Sequence, residues 1–283
     1  MRFKHIILIT LTFMIIGCDG SYESNKDEMV TELKTYDDDT SSCPSTVCIF
    51  VAVGNSGTIL TSSDGASWTS RTSGTSNVLR GVTYGNSTFV AVGSSGTILT
   101  SSDGTSWDNR TSGTSQTLHG VTYANSTFVA VGSSGTILTS SDGTSWTSRT
   151  SGTSNALFGV TYGNSTFVAV GSSGTILTSS DGASWTSRTS AMSSQLLGVT
   201  YGNNTFVAVG QGGGGNYIQS SSDSISWTTR TSSATNTLDG TYFINGIFLV
   251  TGFTGKILTS NNGILWTSRS SGTSGDLHGV RYG

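Results

Sequence analysis

The sequence predicts an all-β fold, a six-bladed β-propeller built of four-stranded blades. Three observations carry this prediction. Asp64, Asp103, Asp142 and Asp181 recur every 39 residues, Asp223 follows after 42, and Asn262 takes the same place after another 39. All six tryptophans (Trp68, Trp107, Trp146, Trp185, Trp227 and Trp266) stand four residues after these positions. The unit between them, clearest over 120–155, holds four strand-like runs and no room for a helix of useful length. A period near 40 residues with strand content denotes a propeller or a solenoid, and solenoid coils usually repeat at shorter spacing.

Each run has a local reason to be a strand. The first, L-x-G-V-T-Y, ends in Gly-Asn or Ala-Asn, a turn dipeptide that tolerates positive φ. The second, T-F-V-A-V-G, is β-branched and aromatic in a pattern suited to a packed strand. The third, T-I-L-T-S, is reached through a Ser/Gly turn. The fourth, S-W-T-S-R-T, is entered through Ser-Asp-Gly. Inner-strand copies begin at Gly81, Gly120, Gly159, Gly198, Gly240 and Gly279, and second-strand copies at Phe50, Phe89, Phe128, Phe167, Phe206 and Phe248. Both counts give six blades. Residues 279–283 would complete the blade begun near residue 49, so the ring closes by joining its N- and C-terminal strands. Closure removes sheet edges that otherwise template aggregation. The domain spans 43–283 and reads as a monomeric ring.

Before it lie two different segments. Residues 1–17 carry Arg2 and Lys4, then an apolar run over 6–16 that is too short to span a bilayer and suits a signal-peptide core. The tetrad Ile15-Ile16-Gly17-Cys18 resembles the lipobox of bacterial lipoproteins. That resemblance implies cleavage before Cys18, lipid attachment there, and a place in the cell envelope on a periplasmic or outer membrane surface. Residues 18–42 hold eight of the sixteen acidic residues against Lys26 and Lys34. Such low hydrophobicity and high charge suit a disordered tether. Cys43 and Cys48 stand at the entrance to the first blade. After export a short disulfide between them is the simplest use, with a redox or metal pair as the rival and no histidine nearby to favour it.

The S-x-D-G-x-S-W element resembles the Asp-box of sialidase-like propellers, found also in photosystem II assembly-factor-like rings. The resemblance implies a turn between third and fourth strands, with the Asp accepting from turn amides and the Trp packing between blades. It speaks to fold and not to activity. Here Ser224 replaces the Gly in the fifth copy and Asn262 the Asp in the sixth. A calcium role for these carboxylates conflicts with one carboxylate per distant blade where the ion wants six or more oxygens.

The repeats differ in one slot. The residue before the inner-strand glycine reads Arg80, His119, Phe158, Leu197, Asp239 and His278 between near-identical neighbours. The longer spacing arises from an insertion over 211–217 that includes Tyr217, on the same face. These residues would ring the mouth of the central channel, as a ligand site requires; drift at exposed positions gives the same pattern.

Enzyme chemistry finds little support. No glutamate occurs after Glu32; arginines recur three residues after each tryptophan (Arg71, Arg110, Arg149, Arg188, Arg230 and Arg269), and the only others in 43–283 are Arg80 and Arg281, one short of the triad a sialidase would use. A two-carboxylate mechanism would have to draw on Asp108, Asp239 and Asp276. From residue 43 onward nine basic residues face eight acidic ones, so no basic stripe for nucleic acid is present. No catalytic residue, cofactor or metal is implied. The sequence reads as a non-catalytic binding or scaffolding module with a protein partner, or alternatively a surface glycan, held to the membrane only by its lipid.

Overall fold

The computed structural model describes residues 49–211 and 217–278, together with the backbone of residues 12–14. Blade 2 shows the repeating unit: an inner strand Leu79–Gly85, a second Thr88–Gly93, a third Ile98–Ser101 and an outer Asp108–Arg110. Strands pair with their sequence neighbours, and the described residues form six such four-stranded antiparallel sheets. The protein is a six-bladed β-propeller.

The second strand is apolar on both faces because each blade is sandwiched. Phe89 and Ala91 pack with Val51 and Val53 of blade 1, whereas Val90 and Val92 pack with Phe128 and Ala130 of blade 3. Each tryptophan follows the same logic: Trp107 and Trp146 sit against these inter-blade clusters. Fully burying one such aliphatic side chain is worth about 1.5–3 kcal/mol, so most of the core energy lies between blades.

The turns refine the sequence reading. Gly85 pairs with Thr88, so the turn centre is Asn86 (φ 46°) and Ser87 (φ 54°), a two-residue hairpin with both residues left-handed. Gly85 is instead needed for packing: a methyl group there would lie 2.0 Å from Cδ1 of Tyr123 in the next blade. The tyrosines of the inner strands are thus inter-blade packing groups. The Ser/Gly turn is a short 3-10 segment, Ser94–Gly96, whose Gly96 (φ 68°) sits where a methyl would strike the Thr114 carbonyl oxygen at 1.9 Å. The outer strand is shorter than expected, three residues in every blade.

Blade 1 comprises β1 (Thr12–Met14), β2 (Phe50–Val53), β3 (Ile59–Ser62) and β4 (Thr69–Arg71). In it β1 pairs with β2 through Thr12↔Val53, Phe13↔Ala52 and Met14↔Val51. The sequence assigned that place to 279–283 and read residues 12–14 as part of a leader. Residues 279–283 lie outside the described residues, as do Cys18, Cys43, Cys48 and the tether.

Strand alternation gives the disc two faces. Inner strands run from the mouth face to the hairpin face, second strands return, and third strands run down again into the Asp-Gly turns. Hairpin turns and Asp-Gly turns therefore share one face, opposite the variable slot.

Candidate functional site

The variable slot coincides with a β-bulge. In blade 2, Leu79 pairs with Gly93 and Gly81 with Val92, leaving Arg80 as the extra residue. The same register shift leaves out His119, Phe158, Leu197 and Asp239 in blades 3 to 6. A bulge frees a side chain from the pairing pattern and re-aims it. These side chains can therefore vary without disturbing the inner strand, which explains why divergence concentrates there.

Consecutive bulges are neighbours around the ring. A methyl group on Gly120 would meet the Phe158 carbonyl oxygen at 2.9 Å, one on Gly159 that of Leu197 at 3.2 Å, and one on Gly198 that of Asp239 at 3.2 Å. The slot glycines thus let adjacent inner strands close up, bringing the variable side chains together at the mouth.

Two chemical groupings result. In the first, the His119 and Phe158 rings lie 5.0 Å apart and His119 Nε2 lies 3.0 Å from Ser133 Oγ. Burial, with the Arg80 charge nearby, lowers the His119 pKa to about 4, so its ring is neutral at pH 7. Arg80 is exposed. In the second, His278 Nδ1 and Asp239 Oδ2 lie 2.6 Å apart. A Nδ1–H donated to the carboxylate leaves Nε2 as the outward-looking nitrogen. Leu197, half-buried, lies between the two groupings.

The segment bearing His278 is pinned to blade 6. Leu277 N donates to Gly252 O at 3.1 Å, Thr254 N to Asp276 Oδ1 at 2.9 Å, and Tyr242 Oη to His278 O at 3.2 Å. The Phe253 ring meets His278 edge-on at 5.9 Å and is 37 % exposed. Sequence reasoning missed Phe253, although a signal was present: blades 2 to 4 have Ser94, Ser133 and Ser172 at its place.

Tyr217 requires correction as a ligand residue. It is only 7 % exposed, packs in the core cluster between blades 5 and 6, and donates its hydroxyl to Thr235 O at 3.0 Å. Its neighbours 212–216 lie outside the described residues.

The Asp-Gly turns use their carboxylates locally. Asp142 Oδ1 accepts from Thr144 N and Ser145 N at 2.8 Å each and from Ser140 Oγ at 2.8 Å, while Trp146 Nε1 donates to Gly143 O. Asp64 is arranged alike, and the amides of Ser67 and Ala66 lower its pKa to about 2. Among the described residues no group of three His, Cys, Asp or Glu could hold a metal.

Two clefts lie among the second-to-third and fourth-to-first connections of neighbouring blades. One of about 600 Å³ is lined by Thr153, Thr175, Arg188 and Met192, and one of about 460 Å³ by the corresponding Thr114, Thr136, Arg149 and Thr153. Their linings mostly recur in other blades, so repeat packing explains them, and the mouth carries the distinctive chemistry instead.

No family model and no curated protein matches the chain. Solved structures similar to it include YCF48 bound to D1 peptide, at 18% identity over 78% of this chain and 76% of that one, with a TM-score of 0.61. Virginiamycin B lyase from Staphylococcus aureus, in a catalytically inactive histidine variant with quinupristin, is similar at 12% identity over 93% and 88%, with a TM-score of 0.71. The computationally designed Ika8 protein is similar at 13% identity over 80% and 73%, with a TM-score of 0.63. At these identities the likeness is one of fold.

Proposed function

We propose that the chain is an exported, lipid-anchored propeller that holds a protein partner over its channel mouth and catalyses no reaction on it. One observation carries this reading. Arginine, imidazole, aromatic, aliphatic and carboxylate side chains occupy a single repeated bulge position, on a backbone that otherwise barely changes. An extended peptide crossing the mouth would meet a cationic donor at Arg80, apolar surface at Phe158 and Leu197, and a polar pair at Asp239 and His278. That the similar propeller YCF48 has been solved with a peptide bound supports a protein partner. The lipid anchor rests on Ile15-Ile16-Gly17-Cys18 and the acidic tether that follows. A second reading, binding of a surface glycan, draws on the half-buried Phe158 ring beside His119, which offers a stacking face.

The test is a pull-down from a membrane fraction with the full chain, with residues 18–42 alone as control. A partner retained by the full chain, lost with Arg80, His119, Asp239 and His278 all changed to Ala, and absent from the control is the expected result. Equal capture by the control would overturn it, and displacement of the retained material by free glycan would favour the second reading. Anchoring is tested separately: Cys18→Ala should abolish partition into a detergent phase.

A further inference from the structure

The hairpin face of blade 6 differs from that of every other blade. Its hairpin carries Ile247 where blades 2 to 5 have Thr88, Thr127, Thr166 and Thr205. Its Asp-Gly turn carries Ile264 and Leu265 where blades 1 to 4 have Ala or Thr followed by Ser, and blade 5 has Ile225, also exposed, followed by Ser. Ile247, Ile264 and Leu265 are 41 %, 43 % and 74 % exposed. Asn203 Nδ2 of blade 5 donates to Gly246 O at 3.3 Å and to Asn261 O at 2.9 Å, so the two turns are held side by side and the three aliphatic groups form one patch.

A second change sits in the same place. Five of the six turns carry an aspartate, ionised at neutral pH; the sixth has Asn262, whose Oδ1 accepts from Ile264 N at 2.9 Å and Leu265 N at 3.1 Å. The turn keeps its shape and loses its charge. Covering an ionised carboxylate is costly, and covering a hydrogen-bonded amide much less so. Blade 6 alone therefore combines added aliphatic surface with removal of the charge that would oppose its burial.

The course of the chain indicates what covers it. Phe50 opens β2 on this same face, and Ile49 before it lies beside the Asp-Gly turn of blade 2, where a methyl group on Gly104 would meet Ile49 Cδ1 at 3.3 Å. Ile49, the first described residue before β2, thus lies on the hairpin face. We propose that the blade 6 patch rests on the lipid surface to which the tether leads, turning the channel mouth away from the membrane. This inference rests on the lipid-anchor reading above. Three side chains are too few to hold a ring to a bilayer by themselves. A tether that keeps the ring at high local concentration makes such a weak second contact effective, and membrane attachment commonly needs two signals.

The test uses the full chain, processed in a lipoprotein-producing bacterial host and reconstituted into phosphatidylcholine vesicles. Amide hydrogen exchange is compared among the six Asp-Gly turns of one sample. In a free ring the blade 6 turn, whose amides donate to a neutral amide oxygen instead of a carboxylate, should exchange fastest. Docked, it should become the slowest, by about tenfold relative to the other five. Ile247→Ser, Ile264→Ser and Leu265→Ser together should restore fast exchange there without altering the remaining turns. If the protein floats with vesicles but its blade 6 turn still exchanges fastest, the docking is overturned and the anchor stands. If it does not float, anchor and docking fall together. Slow exchange that persists without vesicles and rises with protein concentration would identify a second copy as the occupant and contradict the lipid surface.

Discussion

Asp142 uses its charge within its own turn, and the same holds in the four other turns that carry an aspartate. The carboxylates of Asp64 and Asp223 are held at about 2, chiefly by amides two and three residues on. A depressed carboxyl pKa contributes stability that is complete above the unfolded value near 3.8 and is lost as pH falls through about 2. His119 acts in an earlier window. Its folded value of about 4 lies below the ordinary 6.5, so the unfolded chain binds that proton first and stability is lost from about pH 6.5 down to 4. Melting temperature should therefore fall gently below pH 6.5 and more steeply between about 4 and 2. His119→Gln should remove the first step only. Asp142→Asn, which copies Asn262, should flatten part of the second; an unchanged acid profile in that variant would show that the turn carboxylates do not govern it.

Among the elements, blade 6 departs furthest from the repeat, and its strands show how far the pattern could be read. The strands and the number of blades follow from periodicity, whereas the strand order and the inter-blade role of the tryptophans are what the Asp-box resemblance implies. The bulge at Arg80 was not legible, because pairing register depends on the neighbouring strand and not on the residues of one strand. Tyr217 was misplaced for a related reason: the residue count put it in an insertion, but its ring fills the core where blade 5 meets blade 6. Phe253 was legible, because the repeat has Ser94, Ser133 and Ser172 at its place. The inner half of blade 6 carries a fault that the repeat itself can correct. Thr251 Oγ1 is buried with no partner among the described residues, where the equivalent residues are Val53, Val92, Val131, Val170 and Val209. Thr251→Val should stabilise the ring by about 1 kcal/mol and raise its melting temperature by roughly 2–4 °C, readable by calorimetry. A fall would mean that the hydroxyl has a bonding partner that the native packing conceals.

For the whole molecule, two segments point to one place beside β2. The structure puts residues 12–14 there, whereas the repeat pattern assigns it to 279–283, where Gly279 would face Val53 as Gly81 faces Val92. Deleting 279–283 should lower the melting temperature and produce self-association through the exposed edge. If removal of residues 1–17 does so instead, the N-terminal strand is the closing one. The proposed function rests on the contrast between the two faces: variable chemistry at the mouth, and opposite it turns that mostly repeat. The most direct measurement is affinity for the captured partner of single Ala variants at Arg80, His119, Asp239 and His278, set against Asn86→Ala and Asn164→Ala on the hairpin face. Loss of one orienting hydrogen bond involving a charged group should weaken binding by about 1.5–3 kcal/mol, roughly ten- to hundredfold, at the mouth and leave the hairpin-face variants near wild type. Weakened binding in the Asn variants, with the mouth variants unchanged, would contradict it and place the partner on the other side of the disc.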